Sequence, residues 1–278
     1  MIRGVFLAAA TMFLAGSTMA DVLDGIKERG TVRLGIRPDA PPFSYVAKSG
    51  QPAGLAVRLC EEVVGFMARQ FEKDLTIEYV PVNARERFPA LIEGRTDIHC
   101  GPASATLKRR ETLDFSILYF VDGAGVAVRP GTFETVFDGD GRRFGFVSGT
   151  TTKAVVEDLI KRNGMSVETK EYPNHPAGLQ ALEKGDLDVY FGDQAILLFQ
   201  IETLGLANKI EVMEEIFSFE PYALVVRRGE SALRLEVDRA LSAIYNLGQI
   251  YLIITDELGD YPLPPEARAV YQIVGLPE

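Results

Sequence analysis

Apolar positions along the chain fall into short alternating runs separated by longer stretches of helical period. Leu55, Leu59, Val63, Phe66, Met67 and Phe71 recur every three or four residues, which predicts a helix from residue 55 with one face turned to a core. Before it, 21–29 reads as a short helix stopped at Gly30, and 31–36 alternates as a strand. Arg37-Pro38-Asp39-Ala40-Pro41-Pro42 is a stiff loop, and 50–54 is a turn. Residues 75–80 are rich in β-branched side chains and predict a strand, 87–93 a helix ended by Gly94, and 97–100 the next strand. A second unit opens near Gly123. It has strands at 125–128, 143–147, 166–172 and 187–191, with helices at 153–163, 176–184 and 195–204. Strands near 210–213 and 222–227, a long amphipathic helix over 231–246 and two further helical pieces complete the chain. Repeated strand–helix alternation predicts an α/β fold of mainly parallel sheets flanked by helices.

The first twenty residues stand apart from this pattern. Arg3 supplies a charge, 5–15 an apolar core, and Thr18-Met19-Ala20 a small-residue cleavage site, so 1–20 reads as a cleaved secretory signal. The apolar run is too short to span a bilayer, and no later stretch approaches the length needed. The mature chain is therefore expected to be exported and soluble, with enough residues for two medium domains. A formal net charge of −10 argues against nucleic acid or an anionic membrane as partner. Cys60 and Cys100 both survive signal removal, and in an oxidising compartment such a pair is expected to form a disulfide. Two cysteines and two histidines make no metal-ligand pattern, and neither a metal nor another cofactor is expected.

Candidate chemistry concentrates in 97–116. A short strand breaks at Gly101-Pro102, small hydroxyl residues follow at Ser104 and Thr106, and Arg109 and Arg110 come next. Backbone N–H groups and hydroxyls supply neutral donors, and a guanidinium supplies a planar two-donor fork, which together suit a carboxylate. Later, Ser148-Gly149-Thr150-Thr151 opens a helix, and Gly192-Asp193 ends a strand. In open α/β sheets ligands bind outside the carboxyl ends of strands, so two facing sheets would place Arg109 and Asp193 across one cleft. Asp193 could equally be an N-cap for the next helix.

These residues carry a resemblance. A-P-P-F-S-Y at 40–45, Gly54-Leu55 opening a helix, C-G-P-A-S-A-T-L-K-R-R-E-T-L-D-F-S at 100–116, F-V-S-G-T-T at 146–151 and L-D-V-Y-F-G-D-Q at 187–194 together resemble the family 3 extracellular solute-binding proteins of polar amino-acid ABC importers. The resemblance runs from Gly30 to about Gly248. It implies a type II periplasmic binding protein fold: two lobes, 21–120 with 222–278 and 121–221, joined by crossings near 119–123 and 218–222. It implies a periplasmic monomer that traps an amino acid between the lobes and delivers it to a membrane permease. By the same resemblance, Arg109 holds the ligand α-carboxylate beside Ser104 and the backbone at Gly101, Thr150 and Thr151 complete that subsite, and Asp193 takes the α-ammonium. The branch it looks most like binds glutamate and aspartate. Arg37 and His175 match residues that contact the distal carboxylate there, and Cys60 and Cys100 match a recurrent cysteine pair. Without the family, Arg37 reads as a loop arginine and His175 as a helix-start histidine.

Several positions depart from the family pattern. Ala40 and Ala84 stand where aromatic rings often line the cleft, which predicts a more open and polar side-chain pocket. Pro102 removes a backbone donor, Ala56 and Arg58 replace acidic residues, and the chain has no tryptophan. His99 reads as structural. The rival class is an enzyme on the same scaffold, a periplasmic dehydratase of cyclohexadienyl acids such as prephenate or arogenate, which would need a general acid over the leaving group. A hydrolase is disfavoured, because Ser148 lacks a G-x-S-x-G setting.

Overall fold

Asp21 caps the first helix, Val22–Arg29, by accepting from the Leu23 N–H at 2.9 Å, and Gly30 ends it in the left-handed region at φ 67°. The computed structural model describes residues 21–259 and 265–277, so the expected signal segment lies outside the described residues. Two five-stranded sheets carry the architecture, with a small three-stranded sheet beside the first.

The first large sheet runs in the order Thr76–Pro81, Thr31–Ile36, Ile98–Cys100, Glu220–Arg227, Leu113–Asp122. Its first three strands are parallel, in the register Leu34 with Tyr79 and Ile98. Glu220–Arg227 returns antiparallel between Ile98–Cys100 and Leu113–Asp122. The second sheet repeats this plan: Glu168–Tyr172, Arg143–Val147 and Val189–Asp193 are parallel, and Ala124–Val128 and Glu211–Val212 complete it. The antiparallel members follow from connectivity, since they carry the chain into and out of each parallel set. Both sheets lie between helices, as a strand-by-strand alternation of side chains requires. Val126, Phe146 and Phe191 enter one core of the second sheet, while their neighbours Ala127, Val147 and Tyr190 enter the other.

Two close approaches position the site. Helix Leu55–Gln70 begins at Gly54, whose φ is 111°, and a Cβ there would stand 2.6 Å from the Pro42 carbonyl oxygen. Only glycine permits that contact, and it presses the 41–43 loop onto the helix start, with Leu55 N–H bonded to the Pro42 carbonyl at 2.9 Å. The disulfide expected from sequence is formed. Cys60 on that helix joins Cys100 at the end of the central strand, with Cα atoms 6.1 Å apart and a sequence separation of 40. Closing such a loop stabilises by roughly 4 kcal/mol in the chain-entropy account.

The connections between the sheets run side by side. Leu113–Asp122 and Glu220–Arg227 pair through Asp122 with Glu220 and Phe120 with Tyr222. Phe43 packs on Phe120 and Tyr222 with ring centroids 4.8 and 5.0 Å away. At Gly123 a Cβ would lie 2.2 Å from the Ile216 side chain and 2.5 Å from the Ser218 carbonyl oxygen, so the two crossings touch there backbone to backbone. Among the described residues no helix is long and apolar enough to cross a membrane.

Candidate functional site

One cavity lies where the carboxyl ends of the two parallel sets face each other. Seven of the eight residues singled out from sequence line it: Arg37, Ser104, Arg109, Thr150, Thr151, His175 and Asp193. Gly101 does not. A Cβ at that position would meet the His99 ring at 3.1 Å and Arg37 Cγ at 3.3 Å, so the glycine makes room for Arg37 from behind. Arg87, Pro102, Thr152 and Ile196 complete the wall. The cavity is narrow, with about 10 Å³ of space, barely enough for one water. Ala40 and Ala84 are buried and do not line this cavity, whose wall is nevertheless mostly polar.

Arg109 opens the short 3-10 turn Arg109–Glu111. Its N–H is held by Thr106 Oγ1 at 3.2 Å, and its Nη1 donates to the Ser104 carbonyl at 2.9 Å. Arg37 follows the first strand and is 2% exposed. Its Nε and Nη2 donate to the two oxygens of Asp39 at 2.7 and 2.9 Å, a side-on bidentate pair. Asp39 belongs to the small hairpin sheet, which pairs it with Tyr45. Burial would raise its carboxyl, but the charge and hydrogen bonds of Arg37 prevail and hold it below the ordinary value.

Arg87 is the residue that sequence reasoning missed. It starts helix Arg87–Ile92, is 2% exposed, and donates Nη1 to the Ala84 carbonyl and Nη2 to the Gly149 carbonyl at 3.1 Å. Its Nε is buried with no partner among the described residues. Arg87 and Arg109 both stand over the ring of Phe88, 4.4 and 5.0 Å from its centroid. Burial, and then Arg109 and Arg37, weigh against the Arg87 cation. A guanidinium keeps its proton nonetheless. The signal in the sequence was its spacing: Ala90 and Leu91, three and four residues on, are core residues, which puts Arg87 on the inward face.

Asp193 ends strand Val189–Asp193. It stands at the N-cap position of helix Gln194–Thr203, as its alternative reading expected, but its side chain makes no capping bond there. Asp122 takes over that task by accepting from the Ala195 N–H at 3.2 Å. The Tyr222 hydroxyl donates to Asp193 Oδ2, and Oδ1 is buried without a partner among the described residues. Burial, and then the nearby Glu220, push its carboxyl up to about 6. Glu220 itself is held by Thr151 Oγ1 at 2.9 Å and Ser218 Oγ at 2.7 Å.

The second sheet contributes the opposite wall. Helix Thr152–Asn163 points its first turn at the cavity through Thr150, Thr151 and Thr152, a favourable place for negative charge. Asn174 caps helix His175–Lys184 by accepting from Ala177 N–H at 2.9 Å, which leaves His175 buried at the helix start. The His175 Nδ1 and the Tyr190 hydroxyl are 3.2 Å apart. Burial brings the imidazole down to about 4 against the pull of Asp39, so it is neutral at pH 7. His99 lies behind the site, buried and edge-on to Phe88. The arrangement offers three arginines, a neutral histidine and a helix start for negative charge, and one half-satisfied carboxylate for a cation. Among the described residues no cluster could hold a metal ion.

Comparison with known proteins gives a consistent result. The sequence profile of the bacterial extracellular solute-binding proteins, family 3, matches residues 32–256. The L-glutamate/L-aspartate-binding protein of Pseudomonas aeruginosa is 27% identical over 266 residues, covering 93% of this chain and 88% of that one. The putative amino-acid ABC transporter-binding protein YhdW of Escherichia coli (strain K12) is 31% identical over 231 residues, covering 81% of this chain and 65% of that one. Among solved structures, an ancestral arginine-binding protein bound to arginine superposes with a TM-score of 0.75 at 27% identity, covering 83% of this chain and 99% of that one.

Proposed function

The chain belongs to the bacterial extracellular solute-binding proteins, family 3, and on that premise we propose that it binds an acidic amino acid, glutamate or aspartate, between two lobes and delivers it to an ABC importer in the periplasm. The observation that carries this is the convergence of Arg37, Arg87 and Arg109 on one buried cavity that also holds the unpartnered oxygen of Asp193. In this reading the α-carboxylate lies against Arg109 and the helix start at Thr150 and Thr151. The α-ammonium pairs with Asp193, whose cost of burial falls when a cation arrives. The distal carboxylate meets Arg87, the remaining N–H groups of Arg37, and His175.

Closure follows from the same geometry. The Nη2 of Arg87 already reaches the Gly149 carbonyl across the cleft, and Arg85 pairs with Glu171 at 2.9 Å. The narrow cavity admits a ligand when the walls part, and a ligand touching both walls favours the closed state over the open one. We assign the moving bodies to 21–120 with 222–278 and to 121–221, turning about the paired crossings. A monomer suffices for this. We read the site as one for binding rather than catalysis because its two candidate proton donors are already engaged: His175 lies 3.2 Å from the Tyr190 hydroxyl, and the Tyr222 hydroxyl donates to Asp193.

The test is a thermal-shift screen of the mature, ligand-stripped protein against amino acids and small dicarboxylates. A ligand at 100 times its Kd adds about 2.7 kcal/mol, a shift of several degrees. Stabilisation by L-glutamate and L-aspartate is expected. A response confined to basic or large apolar amino acids would keep the fold and discard the acidic pocket. A response to prephenate-like acids alone would favour the dehydratase.

A further inference from the structure

Arg87 and Arg109 bring two like charges to one small cavity, and such neighbours repel each other. Phe88 is the contact they share. Its ring centroid lies 4.4 Å from the guanidinium carbon of Arg87 and 5.0 Å from that of Arg109. An aromatic face carries negative potential and attracts a guanidinium within about 6 Å, more strongly where water is excluded. Phe88 does not line the cavity itself. It packs partly buried against the core of Leu91, Leu113, Phe115 and Val225. His99, fully buried, stands edge-on to it with ring centroids 6.2 Å apart and planes at 80°. Core and imidazole together fix the plane of the ring. Hydrogen bonds hold the two arginines less completely. Arg109 has the Ser104 carbonyl at 2.9 Å, and Arg87 has the Ala84 carbonyl and, at 3.1 Å, the Gly149 carbonyl. Gly149 belongs to the opposite wall, so that bond breaks when the walls part. The ring of Phe88 stays with both arginines.

We infer that Phe88 is a positioning residue whose ring holds Arg87 and Arg109 at one mutual separation, so that the open cleft already presents two carboxylate sites in register. The inference rests on the amino-acid-binding reading above and adds how its two anion sites are kept together. Side chains ordered before the ligand arrives need not be ordered by it, and affinity gains by that difference.

Phenylalanine analogues carrying one, two and three ring fluorines, placed at position 88 of the mature protein, keep the shape of the ring while draining charge from its face. Calorimetric titration with L-glutamate should show Kd rising stepwise along the series, to about tenfold weaker at three fluorines. Phe88→Leu should weaken binding at least as much. The Nε–H NMR resonances of Arg87 and Arg109, shielded by the ring in the unaltered protein, should move downfield together in that variant. A Kd that stays flat across the fluorinated series would show that the ring only fills space, and would overturn the inference. Movement of one arginine resonance without the other would overturn the shared platform. Both of these results leave the acidic-ligand reading standing. Failure of the unaltered protein to bind L-glutamate or L-aspartate would overturn that reading, and this inference with it.

Discussion

At the scale of single residues, the site is a set of charges whose partners are incomplete by design of the fold. Arg109 has one carbonyl acceptor and Arg87 has two, and among the described residues neither is matched by a carboxylate within hydrogen-bond reach. Arg37 is matched, by Asp39. In the reading proposed above, discrimination between acidic and neutral ligands would pass from Arg37, the residue the resemblance points to, to Arg87. Arg109→Ala should weaken every amino-acid ligand by at least about 100-fold, because the α-carboxylate would be buried without its cation. Arg87→Met should cost glutamate at least about tenfold more than glutamine. Titration of both ligands into both variants checks the pair, and equal losses for the two ligands in Arg87→Met would reject its distal role. Arg109 and Asp193 were legible in sequence from the loop and strand end that carry them, whereas Arg37 and His175 were reached only through the family resemblance. Arg87 was reached by neither route, because the run Arg85-Glu86-Arg87 reads as a solvated face until the helix is rotated into place.

At the scale of elements, each large sheet is pinned by the same device. Asp97, just before strand Ile98–Cys100, bonds the Arg33 N–H at 2.7 Å and pairs with the guanidinium groups of Arg33 and Arg29. Asp188, just before strand Val189–Asp193, bonds the Arg143 N–H at 3.1 Å and pairs with Arg143 and Arg129. The carboxylate aligns two neighbouring parallel strands, and so sets how far their carboxyl ends project into the cleft. Asp97 is fully buried while Arg29 and Arg33 are 32% and 28% exposed. Asp97→Ala should therefore cost about 2 kcal/mol, less than a wholly buried pair would, and urea denaturation reads it directly. No loss of stability would show that the strand register is held by the cores alone. Most strand and helix positions were readable from periodicity, but the long crossing strand Leu113–Asp122 and the short strands Asp39–Ala40, Ser44–Val46 and Pro52–Ala53 were not, two of them lying in stretches that read as a loop and a turn. The antiparallel return of Glu220–Arg227 was not readable either, because local pattern says nothing of strand order.

At the scale of the whole molecule, protonation links stability to binding. His175 titrates near 6.5 when unfolded and near 4 when folded, so the unfolded chain binds more protons between those values. Stability should fall as pH drops from about 6.5 to 4, by up to roughly 3 kcal/mol from this group. Asp193 has the opposite sign: raised to about 6 from an ordinary value of 3.8, it contributes stability at low pH that is lost as pH rises through 6. A ligand ammonium beside Asp193 relieves that loss, so binding below pH 6 must first expel a proton. Affinity should fall by roughly fivefold from pH 6 to pH 5, and a pH-independent Kd over this range would remove Asp193 from the ammonium subsite. The sequence alone determined the alternation of strands and helices, the cysteine pair and the polar residues at the ends of Ile98–Cys100 and Val189–Asp193, because these depend on local spacing and composition. The tertiary structure decided which charges are already matched, since only packing brings Asp39 onto Arg37, leaves Arg87 and Asp193 short of partners, and sets both walls of the cleft face to face.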